Sequence, residues 1–336
     1  MRFSKFTALA TALLISGMAN AEISANLVAD YPFNGNANDT TMHGYDGTIH
    51  GDTALTFDRF GNADNAYHFD GYGDYIEIGT SLNFPSWPSY SVSLWFLNDG
   101  GGDWSLSYGQ KIIDKTTPYH DFYLSIGPVN PPRLTGEIRF KTHEGYGSVG
   151  VDGTYLIDST ADFRDSAWHH VVINKNGSDG ELWVDGELSE SADDVKTVYN
   201  NASLLFGYSL SSDGYQRRYW SGDIDDIRIY DQAISEVDVK RLHMEGVPPA
   251  DMLTEVVESI VTLNIQEGLA NSLDAKLDAA IGALDDVNTD NDVSAVNRLY
   301  ALISAIEAQR GKKITDTDAD ALIAATNAVI EKLMSE

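Results

Sequence analysis

The chain has no cysteine, so disulfides and thiol catalysis are both excluded. Basic residues are scarce: 22 Lys and Arg stand against 51 Asp and Glu, for a formal net charge of −29. Nucleic acid and anionic membrane need basic patches, so that balance excludes both as partners. It suits solubility, saline surroundings and divalent cations. No H-E-x-x-H and no G-x-S-x-G is present. Beyond the N-terminus no apolar run is long enough to cross a bilayer as a helix.

At the N-terminus, MRFSK supplies Arg2 and Lys5, FTALATALLISGM is an apolar run too short to span a membrane, and Ala19-Asn20-Ala21 is an A-x-A site. The three parts predict a cleaved secretory signal over residues 1–21. The expected location is extracellular or at the cell surface, with no membrane insertion after cleavage. A secreted protein without disulfides needs another way to hold its loops, and bound Ca²⁺ is one.

The rest falls into two compositions. From residue 22 to about 246 the chain is rich in Gly, Tyr, Trp and Asp, and alternating runs such as DYIEIG, YSVSLWFL, WHHVVINK and GELWVDGEL are separated by turn signals. About a dozen strands at this spacing predict an all-β sandwich or jelly roll. VDGEL and NKNGSDG put Asn or Asp beside Gly where hairpins need positive φ. Trp95, Trp168 and Trp183 sit inside strand patterns and are expected in the core. The prolines of VPPAD predict a linker over 247–252. Residues 253–336 turn to Ala, Leu and Ile with helical period, predicting a small bundle of helices near 253–266, 271–285, 292–309 and 317–334. Asn271 and Thr315 are expected as caps, Gly268 and Gly311 as stops, and Leu273, Leu277, Ile281 and Leu284 as one buried stripe.

LVADYPFNGNANDT, DRFGNADNAYHFDGYGDYIEIG, YSVSLWF, AWHHVV, LWVDGEL and GDIDDIRIYDQAISEVDVKRL occur in that order over about residues 26–243. In this the chain resembles the laminin-G-like branch of the concanavalin A-like lectin/glucanase superfamily. The resemblance implies a jelly roll of two antiparallel sheets and a protein that binds glycans or proteins, seldom a catalyst. NSLDAKLDAAIGALDDVN and RLYALISAIEAQRGKKITDTDADALIAATNAVI resemble the FIMAH domain, a helical module of secreted bacterial proteins. That resemblance implies a bacterial source and brings no activity.

Asp225 and Asp226, adjacent in the last strand, invite three readings. Retaining glucanases on this sandwich carry E-x-D-x-E on one strand, with two carboxylates about 5–5.5 Å apart. No such run occurs, so no catalytic residue is assigned. Related sandwich enzymes bind Ca²⁺ through an Asp three residues before an Arg, as Asp225 stands before Arg228. The resemblance implies that carbonyls near Asp30 and Gly71 complete that site and that Asp70 and Asp39 add charge. The plainer reading is a strand-end Asp capping a turn, with Asp226 paired to Arg228. A weaker cation loop lies in DDVNTDNDVSAVN, where Asp286, Asn288, Asp290 and Asp292 take EF-hand positions one, three, five and seven. Asn291 stands where the turn glycine belongs, and Asn297 lacks the bidentate carboxylate.

Aromatic residues in loops are the remaining signal. Sugar rings pack their C–H faces on aromatic rings while a few polar groups fix the hydroxyls. Trp104 and Tyr108, with Tyr215, Arg217, Arg218, Tyr219 and Trp220, form the expected ligand site, the arginines poised for a carboxylate or sulfate of an acidic glycan. The expected function is non-catalytic extracellular carbohydrate binding by a Ca²⁺-stabilised domain. The alternatives are adhesion to a surface protein and a glycan-cleaving jelly roll.

Overall fold

A computed structural model describes residues 23, 25–102, 109–117, 120–127, 136–144, 153–158, 161–210, 217–262, 267–284 and 291–335. Two compact units divide between Ser235 and Glu236.

In chain order the strands are β1 (Leu27–Tyr31), β2 (Thr48–His50), β3 (Ala54–Thr56), β4 (Ala66–Asp70), β5 (Tyr75–Gly79), β6 (Ser89–Asn98), β7 (Gln110–Asp114), β8 (His120–Ile126), β9 (Ile138–Glu144), β10 (Gly153–Asp158), β11 (Trp168–Asn176), β12 (Asp179–Val184), β13 (Glu187–Ala192), β14 (Leu204–Phe206), β15 (Tyr208–Leu210), β16 (Arg217–Tyr219) and β17 (Ser221–Tyr230). One sheet runs β13-β12-β11-β6-β17-β4-β3, with β1 also paired to β17; the other runs β10-β9-β8-β7-β14-β5-β2. Strands β15 and β16 form a separate ribbon.

Alternation explains the sandwich. Ile76 and Ile78 of β5, Phe122, Leu124 and Ile126 of β8, and Ile138 and Phe140 of β9 join Val92, Leu94 and Phe96 of β6 and Val171 and Ile173 of β11 in one core. Each is every second residue of its strand, so one face of each sheet is apolar. Full burial of each such side chain stabilises by about 1.5–3 kcal/mol. The β12–β13 hairpin turns on Asp185 and Gly186, both at positive φ, as the DG signal requires. Of the expected core tryptophans, Trp95 and Trp183 are buried and Trp168 is half-buried.

Strand β17 breaks its own alternation. Ile224, Ile227 and Ile229 all enter the core, although 224 and 227 differ by an odd number. The register against β6 passes from Asp225↔Trp95 to Arg228↔Ser93, which inserts one extra residue. Asp226 takes it up at φ +48, a conformation that Asp tolerates better than most residues.

The second unit holds α1 (Glu236–Met244), α2 (Pro249–Thr262), α3 (Glu267–Leu284), α4 (Asn291–Gln309) and α5 (Asp316–Ser335). Helix α3 packs on α2 and α4, and α5 on α2 and α4, so these four make the expected bundle. Leu273, Leu277 and Ala280 are buried on α3, and Ala295, Leu299, Leu302 and Ile306 on α4. Ile281 and Leu284 are only half-buried. Three local expectations fail. The stretch read as a linker, 247–252, is helical from Pro249, because proline lacks only an N–H that the first turn leaves unbonded anyway. Gly268 and Asn271 lie inside α3 rather than at a stop and a cap. Thr315 does cap α5, its Oγ1 accepting the Asp318 N–H at 3.1 Å, and Gly311 sits at positive φ after α4.

Candidate functional site

The residues grouped by sequence around Asp225 fall into three places. Asp225 itself is 2% exposed. Its Oδ2 accepts Arg59 Nη1 at 3.1 Å, and its Oδ1 accepts the Asp226 N–H at 2.7 Å. The same Nη1 reaches Asp226 Oδ2 at 2.7 Å. The guanidinium lies 4.5 Å from the ring centroids of both Phe60 and Trp95, within cation–π range. Burial, then the neighbouring Asp226, pushes the Asp225 pKa up, while Arg59 pulls it back. Arg59 is delivered by a turn that Asp58 closes: the carboxylate accepts the N–H of Phe60 and of Asn62, both at 2.8 Å.

Asp30 and Asp39 lie on and beside β1. Asp30 stands opposite Arg228 in the ladder, and Arg228 Nε donates to its Oδ1 at 3.3 Å. The Asp30 carbonyl, expected to coordinate an ion, accepts Thr40 N–H at 2.9 Å. Asp39 accepts the N–H of Asp30 and Thr41 and the Thr41 hydroxyl. Arg228 Nη2 lies 3.8 Å from Asp226 Oδ1, the loose pair of the plainer reading.

Asp70 and Gly71 form the third place. Asp70 pairs with Ser221, four residues along β17 from Asp225. Its Oδ1 accepts the Tyr72 N–H at 2.6 Å. Buried Asp74 accepts the N–H of Asp70 at 3.1 Å and of Asp52 at 2.9 Å. Oxygens of Asp52, Asp70 and Asp74 lie within 4.8 Å of one another. Burial raises the Asp74 pKa, against the pull of those two backbone bonds.

The Ca²⁺ expectation at Asp225 therefore fails a test of fit. Calcium needs six to eight oxygens around one point. Here one guanidinium bridges Asp225 and Asp226 and occupies the space between them, Arg228 engages Asp30, and N–H and O–H donors fill Asp39. Of the tail loop, Asp286, Asn288 and Asp290 lie outside the described residues, as does the side chain of Asp292. Positions six to twelve of that loop, 291–297, are helical in α4, which is too much helix for an EF-hand loop.

Trp104, Tyr108 and Tyr215 lie outside the described residues, and of Arg217 only the backbone is described. Trp220 is a correction. It is fully buried, its ring 5.9 Å from Phe96 edge to face, so it is core and cannot be a ligand platform. Its neighbour Tyr219 points elsewhere, into a row of rings. Tyr208 and Tyr219 are cross-strand partners in the β15–β16 ribbon and stack at 4.7 Å. Tyr75 lies 5.1 Å from Tyr208, and His50, the cross-strand partner of Tyr75, stacks on it at 4.2 Å with planes 5° apart. At the other end Tyr72 lies 6.3 Å from Tyr219 and is 82% exposed.

Backbone freedom builds this corner. Tyr72 stands between Gly71 and Gly73, at φ +83 and +92, a turn conformation that favours glycine. Gly207, at φ +82, lets the ribbon leave β14; a Cβ there would meet the Phe69 ring at 2.5 Å. The sequence carried a signal for Tyr72: in DGYGDY an aromatic flanked by glycines and acids has no strand neighbours to bury it. Tyr75, Tyr208 and His50 carried none, because their meeting depends on pairing between distant strands. Arg218 stands opposite buried Ser209, one residue from the Tyr208–Tyr219 pair, and so faces the other side of the ribbon.

Among curated proteins, none matches the chain by sequence. Solved structures share the fold. Domain 4 of AbnA, an extracellular GH43 arabinanase from Geobacillus stearothermophilus solved with arabinotriose, aligns over 66% of this chain and 100% of its own, with 22% identity and a TM-score of 0.50. The binding domain of Paraclostridial Mosquitocidal Protein 1 aligns over 65% of this chain at 15% identity and a TM-score of 0.50, and the chain spans 52% of that domain. A family model described as the concanavalin A-like lectin/glucanases superfamily (Laminin_G_3) matches residues 70–240. That match covers just over half of the 336 residues, and it runs through the strands of both sheets: the chain belongs to the concanavalin A-like lectin/glucanases superfamily.

Proposed function

We propose that the protein is a non-catalytic extracellular binding protein whose sandwich recognises carbohydrate at the Tyr72 corner. The observation that carries this reading is one ring, Tyr72, 82% exposed at the end of a supported aromatic row and set beside carboxylates. The inner rings lie against one another, so Tyr72 is the member with an open face for a sugar. Asp70 and Asp52 are exposed and offer acceptor oxygens to hydroxyls. The arabinanase domain of the same fold was solved with arabinotriose, which supports the reading. The glycan-cleaving alternative has no candidate at Asp225 and Asp226, because Arg59 lies between them.

The proposal carries over from the sequence a signal ending at Ala21, a jelly-roll domain over 22–246, and a bacterial, FIMAH-like tail over 253–336. Calcium stays in it on composition alone, an acidic chain without cysteine. A fall in melting temperature with EGTA supports the ion, and an unchanged melt ends that part.

The test is a glycan array probed with wild type and Tyr72→Ala. Signal in the wild type and its loss in the variant, at equal melting temperature, support the reading. A protein that ignores every glycan but pulls down a surface protein is the adhesin instead. Release of reducing ends from any polysaccharide makes it an enzyme.

A further inference from the structure

We infer that the ligand of the Tyr72 corner is an uncharged saccharide and not an acidic or sulfated polymer, an inference that rests on the carbohydrate reading above. The reason is the sign of the charge around the exposed ring. Asp70 bonds the Tyr72 backbone N–H, and oxygens of Asp52 and Asp74 lie within 4.8 Å of an Asp70 oxygen. Along the row, Glu77 sits 3.4 Å from His50, held by the Ser203 hydroxyl at 2.6 Å. Asp99 bonds Ser221, whose Cβ and Oγ lie 3.2 and 3.4 Å from the Cβ position of Gly71. The carboxylates of Asp52, Asp70 and Asp74, within 4.8 Å of one another, lie well inside a Debye length of about 8 Å at physiological salt. An anionic polymer laid across Tyr72 would meet like charge, and such juxtaposition selects against a partner.

Among the described side chains, the arginine of the ribbon does not offset this. Arg218, which the sequence offered as an anchor for a sulfate or carboxylate, faces away from the tyrosine side of the ribbon. A hydroxyl group suits the corner better than an anion does, because ionised carboxylates only accept hydrogen bonds and hydroxyls donate them.

The experiment uses the purified chain on an array of neutral polymers (arabinan, galactan, xylan, laminarin) and anionic ones (alginate, polygalacturonate, carrageenan, heparin). The expected result is signal confined to neutral polymers, lost with Tyr72→Ala, and changing less than about 2-fold between low and high salt, since no ion pairing is screened. The double variant Asp52→Asn/Asp70→Asn should let anionic polymers bind at least 10-fold better than wild type, with folding checked by its melt. Asp74 stays untouched because it holds the turn. Anionic signal in the wild type that falls with Tyr72→Ala overturns the inference and leaves the carbohydrate reading standing. Signal that Tyr72→Ala does not change overturns the site. Silence on every polymer overturns the reading and the inference with it.

Discussion

Arg59 with its two aspartates and the row ending at Tyr72 are made of the same parts, carboxylates beside aromatic rings, yet they have opposite fates. Around Arg59 the parts engage each other, two carboxylates, one guanidinium and two rings under the cation, with Arg59, Asp225 and Trp95 buried and Asp226 and Phe60 half-buried. Around Tyr72 the parts stay in water, with an open ring and exposed acids. A buried charge must be met inside the protein, so its partners are consumed by the fold. Exposed groups keep capacity for a ligand. The adjacent acids of β17 catch the eye in the sequence, but the modest DGYGDY turn is what remains available.

The sharpest way to break this comparison is Arg59→Ala. It leaves buried Asp225 without its cation, and Asp226 with only the loose pair to Arg228, and should cost about 3–5 kcal/mol in a denaturant melt. A cost below about 1 kcal/mol would mean that water already reaches the pair. Combining Arg59→Met with Asp225→Asn should recover part of the loss, since apolar and neutral replacements leave less charge orphaned. Trp220→Ala should cost a similar ~3–5 kcal/mol as a core truncation. Tyr72→Ala should leave stability within about 0.5 kcal/mol, as for most surface changes. Its effect should appear in glycan affinity instead, a fall of 10-fold or more, about 1.4 kcal/mol, by titration calorimetry. A Tyr72→Ala protein that melts early would move that ring from the open class to the buried one.

A smaller effect concerns pH. Burial of the His169 ring pushes its pKa down, the bonds to Asp185 and Asp165 push it up, and the acids win. The stabilisation is therefore full below the ordinary histidine value of about 6.5 and is lost as pH rises through the raised folded value. Melting temperature should fall as pH climbs through that window, and His169→Gln should flatten the fall. An identical profile in the variant would remove His169 from the account.

Much of the architecture was legible because it is periodic. Alternation in YIEIG, YSVSLWF and WHHVV marks strands whose inner faces meet, and helical spacing marks the bundle. What the sequence hid depends on contacts between distant residues. Arg59 and Asp225 are 166 positions apart, and nothing local to DRFGN announces that its arginine will stand where an ion was expected. Tyr219 and Trp220 are neighbours with similar side chains, yet one lies in the aromatic row and the other in the core. Their fates divide where β16 ends and β17 begins, a boundary that composition does not mark. Pro249 is ambiguous for a milder reason: a proline pair separates elements as easily as it opens a helix, and here it opens one.

The inserted residue of β17 has a consequence beyond charge. Were Asp226 paired as an ordinary strand residue, holding Ile224 inward would send Ile227 and Ile229 out to solvent and draw Arg228 and Tyr230 inward, whereas removing it would leave all three isoleucines on one face of an unbroken strand. One left-handed residue thus works as a phase shifter, deciding which way the closing strand of the domain is turned.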